Sequence, residues 1–147
     1  MSERAVAISL KIPDNAAFTA SVALGRLGVE ADRIERSEIW HFDDTGEGST
    51  LVSRIEGNET IFNPNKHRLT LLEEIKPRPG EVWIEELGRH DETREHLGGK
   101  TIAGVTNARR YVAWRFLRAS GEPEGRDVVQ RAAQRLLCNP AIERALF

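Results

Sequence analysis

Arg109-Arg110-Tyr111-Val112-Ala113-Trp114-Arg115-Phe116 is the richest run of binding-competent side chains in the sequence. Read as a helix at 100° per residue, it sets Arg110, Trp114 and Arg118 in a ridge at i, i+4 and i+8, flanked by Tyr111 and Arg115. A tryptophan between two guanidinium groups can be stacked by them, at roughly 0.5–1 kcal/mol per exposed contact. Trp, Tyr and Arg are also the usual anchors of protein interfaces. The ridge therefore reads as a partner surface, against two alternatives: cover by a neighbouring β-element of the same chain, or a phosphate-bearing ligand. A second polar concentration, Asn63-Pro64-Asn65-Lys66-His67-Arg68, joins turn-favouring residues to three cationic or potentially cationic groups. As a turn it needs no function. As a site, Lys66, His67 and Arg68 would receive an anion or an acidic partner.

Other reactive residue types are dispersed. His41, His67, His90 and His96 lack the paired i, i+2 or i, i+4 histidine spacing that grips zinc, so no metal is expected. His90-Asp91 sets an acid beside an imidazole, but sequence neighbours on a loop rarely face each other. Cys138 falls at the end of a predicted helix, where the dipole has the wrong sign to favour a thiolate, and it reads as a small buried hydrophobe. There is no Gly-x-Ser-x-Gly elbow, and Gly98-Gly99-Lys100-Thr101 is only a faint echo of a phosphate loop. These absences predict no catalytic residue and no cofactor, and they leave open an enzyme whose groups come from distant segments.

The elements that must position these residues can be read from periodicity and breakers. Residues 5–12 read as a first strand, stopped by Pro13. Asp14 or Asn15 caps a helix that places Phe18 and Val22 along its core side, with Ala23 and Leu27 as further candidates, and Gly28 supplies the C-cap. A second strand spans about Asp32 to Phe42. A hairpin about Gly57-Asn58 is expected from Thr50–Glu56 and Thr60–Asn63, and a short strand from Glu81 to Leu87. Gly88 to Lys100 reads as an exposed loop. Thr106 or Asn107 then caps the Arg/Trp helix, with Val105, Ala108, Val112 and Phe116 as its apolar stripe. Asp127 starts a last helix, with Val128 or Val129, Ala132 and Leu136 toward the core, and Asn139-Pro140 ends it. Ala141 to Phe147 is an edge strand or a frayed turn.

Composition bounds the function. The 147 residues are 39% hydrophobic and 30% charged, with 21 basic against 23 acidic side chains and a formal charge of −2. That length suits one domain over residues 1–147, and such a chain can bury about two-thirds of its unfolded surface without metals or disulfides. A single cysteine argues against a secreted, cross-linked scaffold and for the cytoplasm. The slight acidity gives no general attraction to nucleic acid, and no apolar run approaches the roughly 20 residues that span a bilayer.

Two stretches together resemble a family. One runs from Phe18 through Ala23-Leu24-Gly25-Arg26-Leu27-Gly28-Val29 to Trp40-His41-Phe42. The other is Val128 to Glu143, with the ending Leu136-Leu137-Cys138-Asn139-Pro140-Ala141-Ile142-Glu143. They resemble PurS, the small subunit of phosphoribosylformylglycinamidine synthase in purine biosynthesis. The family's second strand usually carries a Gly-Lys pair where this chain has Ser37-Glu38, and residues 43–125 would be an insertion. The resemblance implies an α+β, ferredoxin-like antiparallel sheet with helices on one face, extended here by the inserted hairpin, strand and helix. It also implies a subunit without catalysis of its own, a dimer or tetramer bridging the large synthetase subunit to the glutaminase subunit. The rival expectation is a small enzyme or ligand sensor on the same scaffold, cradling a nucleotide or sugar phosphate between the Asn63–Arg68 turn and Arg109/Arg110.

Overall fold

The computed structural model describes residues 2–87 and 102–147. The expectations at His90, at His96, for an exposed Gly88–Lys100 loop and at Gly98-Gly99-Lys100-Thr101 lie outside the described residues. The chain is α+β. In order it forms β1 (Ser2–Leu10), α1 (Asn15–Arg26), β2 (Arg33–Asp44), a 3-10 turn (Gly48–Thr50) running into α2 (Leu51–Glu56), and β3 (His67–Leu71). Then come β4 (Glu81–Glu86), β5 (Val105–Leu117), α3 (Arg126–Ala132) continued as a π-helical turn (Ala133–Leu137), and β6 (Glu143–Leu146). The strands form an open antiparallel sheet in the order β3-β1-β2-β5-β4-β6. No helix of the described residues is long and apolar enough to cross a membrane.

Two expected elements are corrected. The hairpin about Gly57-Asn58 is instead helix α2, with Leu51 and Ile55 buried. A spacing of four residues is shared by one helical turn and by two strand repeats, so that pair could not choose between them. The Arg/Trp helix is instead the long strand β5. Its Ala108, Val112 and Phe116 fit a helical stripe, but Thr106, Tyr111, Val112, Trp114 and Phe116 are strand-favouring residues. The cross-strand partners of β4 decide the matter, with Val82 opposite Trp114 and Ile84 opposite Val112. The Glu81–Leu87 strand is present as β4, and the last segment takes its edge-strand alternative as β6.

The chain divides into two compact units. The first comprises the described parts of Met1–Ile12, Glu38–Ile75 and Arg89–Arg110. There β1 pairs with β2, Val6 opposite Trp40 and Arg4 opposite Phe42, and with β3, Ile8 opposite Leu69. Alternation sends Val6, Ile8, Trp40 and Phe42 into a core completed by Leu51, Ile55, Ile61, Phe62, Ile102 and Ala108. Asn58 closes the turn after α2, its Oδ1 accepting from the Thr60 N–H (3.0 Å), and so delivers Ile61 and Phe62 to that core.

The second unit comprises the described parts of Pro13–Ser37, Lys76–Gly88 and Tyr111–Phe147. Its β4 lies between β5 and β6, and Glu81, Val82, Trp83 and Ile84 are all buried because both faces are covered. Val82 and Ile84 enter the core, while Trp83 packs on Tyr111, ring centroids 5.2 Å apart, and donates from Nε1 to Glu81 Oε1 (2.9 Å). Asp14 caps α1 by accepting from the Ala16 and Ala17 N–H groups (2.9 and 3.2 Å), and Gly28 leaves the helix at φ +81°. The inward face of α1 is Ala17, Ala20 and Leu24, not the expected Phe18 and Val22. Leu24 and Val29 pack with Val82, Ile84, Phe116, Val129, Ala132 and Ala133. Leu136, expected in the core, is exposed.

Candidate functional site

The second unit joins the Phe18–Val29 part of the first family-like stretch to the second stretch, whereas Trp40, His41 and Phe42 belong to the first unit. Leu24 and Val29 from the first share a core with Val129, Ala132 and Ala133 from the second, and the Arg135 guanidinium donates to the Leu27 carbonyl at the end of α1. Beyond the π-helical turn, Cys138 is extended and Asn139 organises a tight turn. Its Oδ1 accepts from Ala141 N–H (3.1 Å), and its carbonyl accepts from Ile142 and Glu143 N–H (3.0 and 2.8 Å). Glu143 Oε1 accepts in return from Asn139 N–H (2.8 Å). Asn139 and Glu143 thus have local work to do, turning the chain from helix into β6. Burial, followed by the charge of Glu143, pushes the Cys138 thiol above its ordinary value, so it is a neutral thiol near pH 7.

Several large apolar side chains of this scaffold face solvent. Phe18 is 71% and Ile142 59% exposed, and Val22 and Leu136 are exposed too. A cavity of about 440 Å³ in the same unit is lined by Ser21, Gly25, Glu30, Ala31, Asp32 and Glu124. Its three carboxylates would repel a phosphate. Asp32 Oδ2 already accepts from Ala119 N–H (2.8 Å), and Glu124 Oε2 lies 3.6 Å from Arg118 Nε.

No protein-family model and no curated protein matches this chain. Its function must therefore be argued from its own residues.

The six residues singled out as binding candidates are placed as follows. Trp114 is half-buried in β5, and the guanidinium over its ring, 5.7 Å from the centroid, is that of Arg36. Arg110, in the first unit, donates from Nη2 to Glu38 Oε1 (2.9 Å). Arg118 follows β5, its N–H donating to the Glu122 carbonyl (2.7 Å). The helical ridge of Arg110, Trp114 and Arg118 is therefore replaced by separate pairings, because the segment is a strand. In the other cluster, His67 is committed to its own turn, with Nδ1 accepting from Asn63 N–H (2.9 Å) and the ring beside Phe62. Lys66 is exposed, its N–H donating to the Asn63 carbonyl (2.9 Å). Arg68 lies opposite Ser9 in β3, and alternation directs it to the face away from His67.

Two polar groupings escaped the sequence reading. Asp44, buried at the end of β2, receives both Arg54 terminal nitrogens, and Arg4 Nε lies 3.6 Å from it. The Arg54 hydrogen bonds hold the Asp44 carboxyl below its usual range despite burial, and Asp44 in turn raises Arg54. Nothing local in the sequence marks this pair, ten residues apart. The other grouping is Glu3, His41 and Asp43, one of whose ligand atoms each lie within 4.8 Å of one another. Here a signal existed: His41 and Asp43 are two apart on a strand, hence on one face.

Proposed function

We propose that this chain is a non-catalytic, self-associating accessory subunit of the PurS kind, built on a ferredoxin-like scaffold. In this role it bridges the synthetase and glutaminase subunits of phosphoribosylformylglycinamidine synthase. The carrying observation is that Leu24 and Val29 of the first family-like stretch share one core with Val129, Ala132 and Ala133 of the second, while Phe18, Leu136 and Ile142 of those stretches stay exposed. Exposed apolar side chains on a well-packed scaffold are what an assembly surface requires. Among the described residues β3 and β6 are the outer strands of the sheet, and such edges are places for association. The phosphate-binding alternative has less support: His67 is engaged with Asn63, Arg110 is neutralised by Glu38, and the cavity beside α1 is acidic.

The test is reconstitution with the two larger subunits. The expected result is co-purification of all three chains, with glutamine-dependent synthesis lost and ammonia-dependent synthesis retained when this chain is withheld. A chain that stays monomeric at high concentration and leaves glutamine-dependent turnover unchanged overturns the proposal.

A further inference from the structure

We infer that Glu3, His41 and Asp43 form a binding site for a divalent first-row metal ion. In the β1–β2 ladder Glu3 stands directly opposite Asp43, and His41 is opposite Ala5, one repeat along. All three therefore project from the same face, the one opposite the core residues Val6, Trp40 and Phe42. His41 Nε2 lies 3.5 Å from Glu3 Oε1, and the Asp43 carboxylate completes a set spanning no more than 4.8 Å. Ligand bonds of about 2.0–2.2 Å place neighbouring donor atoms roughly 3–3.5 Å apart. The His41–Glu3 separation already meets that spacing. The remaining contraction needs only side-chain rotation, which the 64% exposed Glu3 can supply.

A second observation points to a ligand. His41 Nε2 is closed off from solvent and makes no hydrogen bond, its ion-pair contact with Glu3 Oε1 being 3.5 Å long. Buried polar atoms without a hydrogen bond are uncommon. A metal ion between the three groups satisfies the lone pair and neutralises both carboxylates together. One imidazole nitrogen with two carboxylate oxygens is a borderline-to-hard donor set, suited to Zn²⁺, Fe²⁺ or Mn²⁺ and not to a soft ion. Three protein ligands leave coordination positions for water. Bound there, the ion ties together the end of the β1–β2 ladder where Ser2 pairs with Asp44, whether or not the chain joins a larger assembly.

The full chain, stripped of metal, is titrated with ZnCl₂ by calorimetry, with MgCl₂ as the hard-ion control. One saturating Zn²⁺ site is expected, weakened roughly tenfold or more in Glu3→Gln and in His41→Gln and unaltered in His67→Gln. Zn²⁺ should also raise the melting temperature of the wild type and of His67→Gln, and not of Glu3→Gln. Glu3 is exposed, so Glu3→Gln decides the matter even if His41→Gln fails to fold. Absence of saturable Zn²⁺ binding, or binding unaffected by Glu3→Gln, overturns the site and leaves His41 and Glu3 as an ion pair.

Discussion

Arg54 clasps Asp44 end-on: Nη1 is 2.9 Å from Oδ1 and Nη2 2.8 Å from Oδ2, with the carboxylate fully enclosed. The same guanidinium reaches the Ala103 and Glu47 carbonyls and, through Nε, the Thr50 hydroxyl. One side chain from α2 thus joins the end of β2, the 3-10 turn and the segment that leads into β5. Removing it strands a buried charge, which costs about 3–5 kcal/mol in comparable sites, and Arg4 at 3.6 Å offsets part of that. Arg54→Met should therefore lose about 3 kcal/mol of unfolding free energy by urea denaturation. A loss under about 0.5 kcal/mol, the usual range for surface changes, would show the clasp to be idle.

Acid should act through the same group. The folded carboxyl is depressed below the unfolded value of 3.8, so the ionised form is favoured by folding. Its contribution is complete above that value and disappears as pH falls through the depressed folded value. Wild type should thus lose stability below about pH 4 more steeply than Asp44→Asn. Parallel stability–pH curves for the two proteins would contradict this.

Gly104 borders the clasp with φ +83°, and a Cβ there would sit 3.0 Å from Arg54 Nη1, Asp44 Oδ1 and the Gly46 nitrogen. The backbone conformation strains any side chain there, and a Cβ would crowd the clasp. Gly104→Ala should cost about 1–3 kcal/mol, read as a lowered melting temperature. An unchanged melting temperature would mean the loop has another conformation.

The two faces of α1 should respond oppositely. Leu24→Ala, in the core, is expected to cost about 2–5 kcal/mol. Phe18→Ser should stay within about 0.5 kcal/mol as a monomer, and under the proposed function it should weaken self-association in sedimentation velocity. Equal destabilisation by both substitutions would place Phe18 in the core and remove the exposed face.

At the turn into β6, Asn139→Ala removes the acceptor for Ala141 N–H and should cost about 0.5–1.5 kcal/mol by chemical denaturation. Because the turn is exposed, a much larger effect would reveal a contact beyond the turn itself.

Local chemistry was legible wherever a short-range device decides the structure. Asp14 and Gly28 bracket α1 as their capping preferences require and Asn139-Pro140 follows the last helix, whereas β1 ends at Leu10, before Pro13 is reached. The Asn63–His67 turn likewise follows from side chains bonding their own backbone. What failed were choices between periods. Leu51 and Ile55 satisfy a helix and a strand equally, and Val112 and Phe116 likewise, so β5 exists because Val82 and Ile84, some thirty residues earlier, supply its partners. The inward face of α1 has a different cause: Phe18 is more hydrophobic than Ala17 or Ala20, but Ala17, Ala20 and Leu24 are the residues that face inward. The candidate metal ligands were half visible in the strand spacing of His41 and Asp43, whereas Glu3 joins them only through the β1–β2 register. Backbone caps and turns are settled within a few residues, so the sequence alone determines them. Strand partners, helix faces and the Arg54–Asp44 and Glu3–His41–Asp43 groupings are settled by what arrives from distant parts of the chain, and only the tertiary structure brings those parts together.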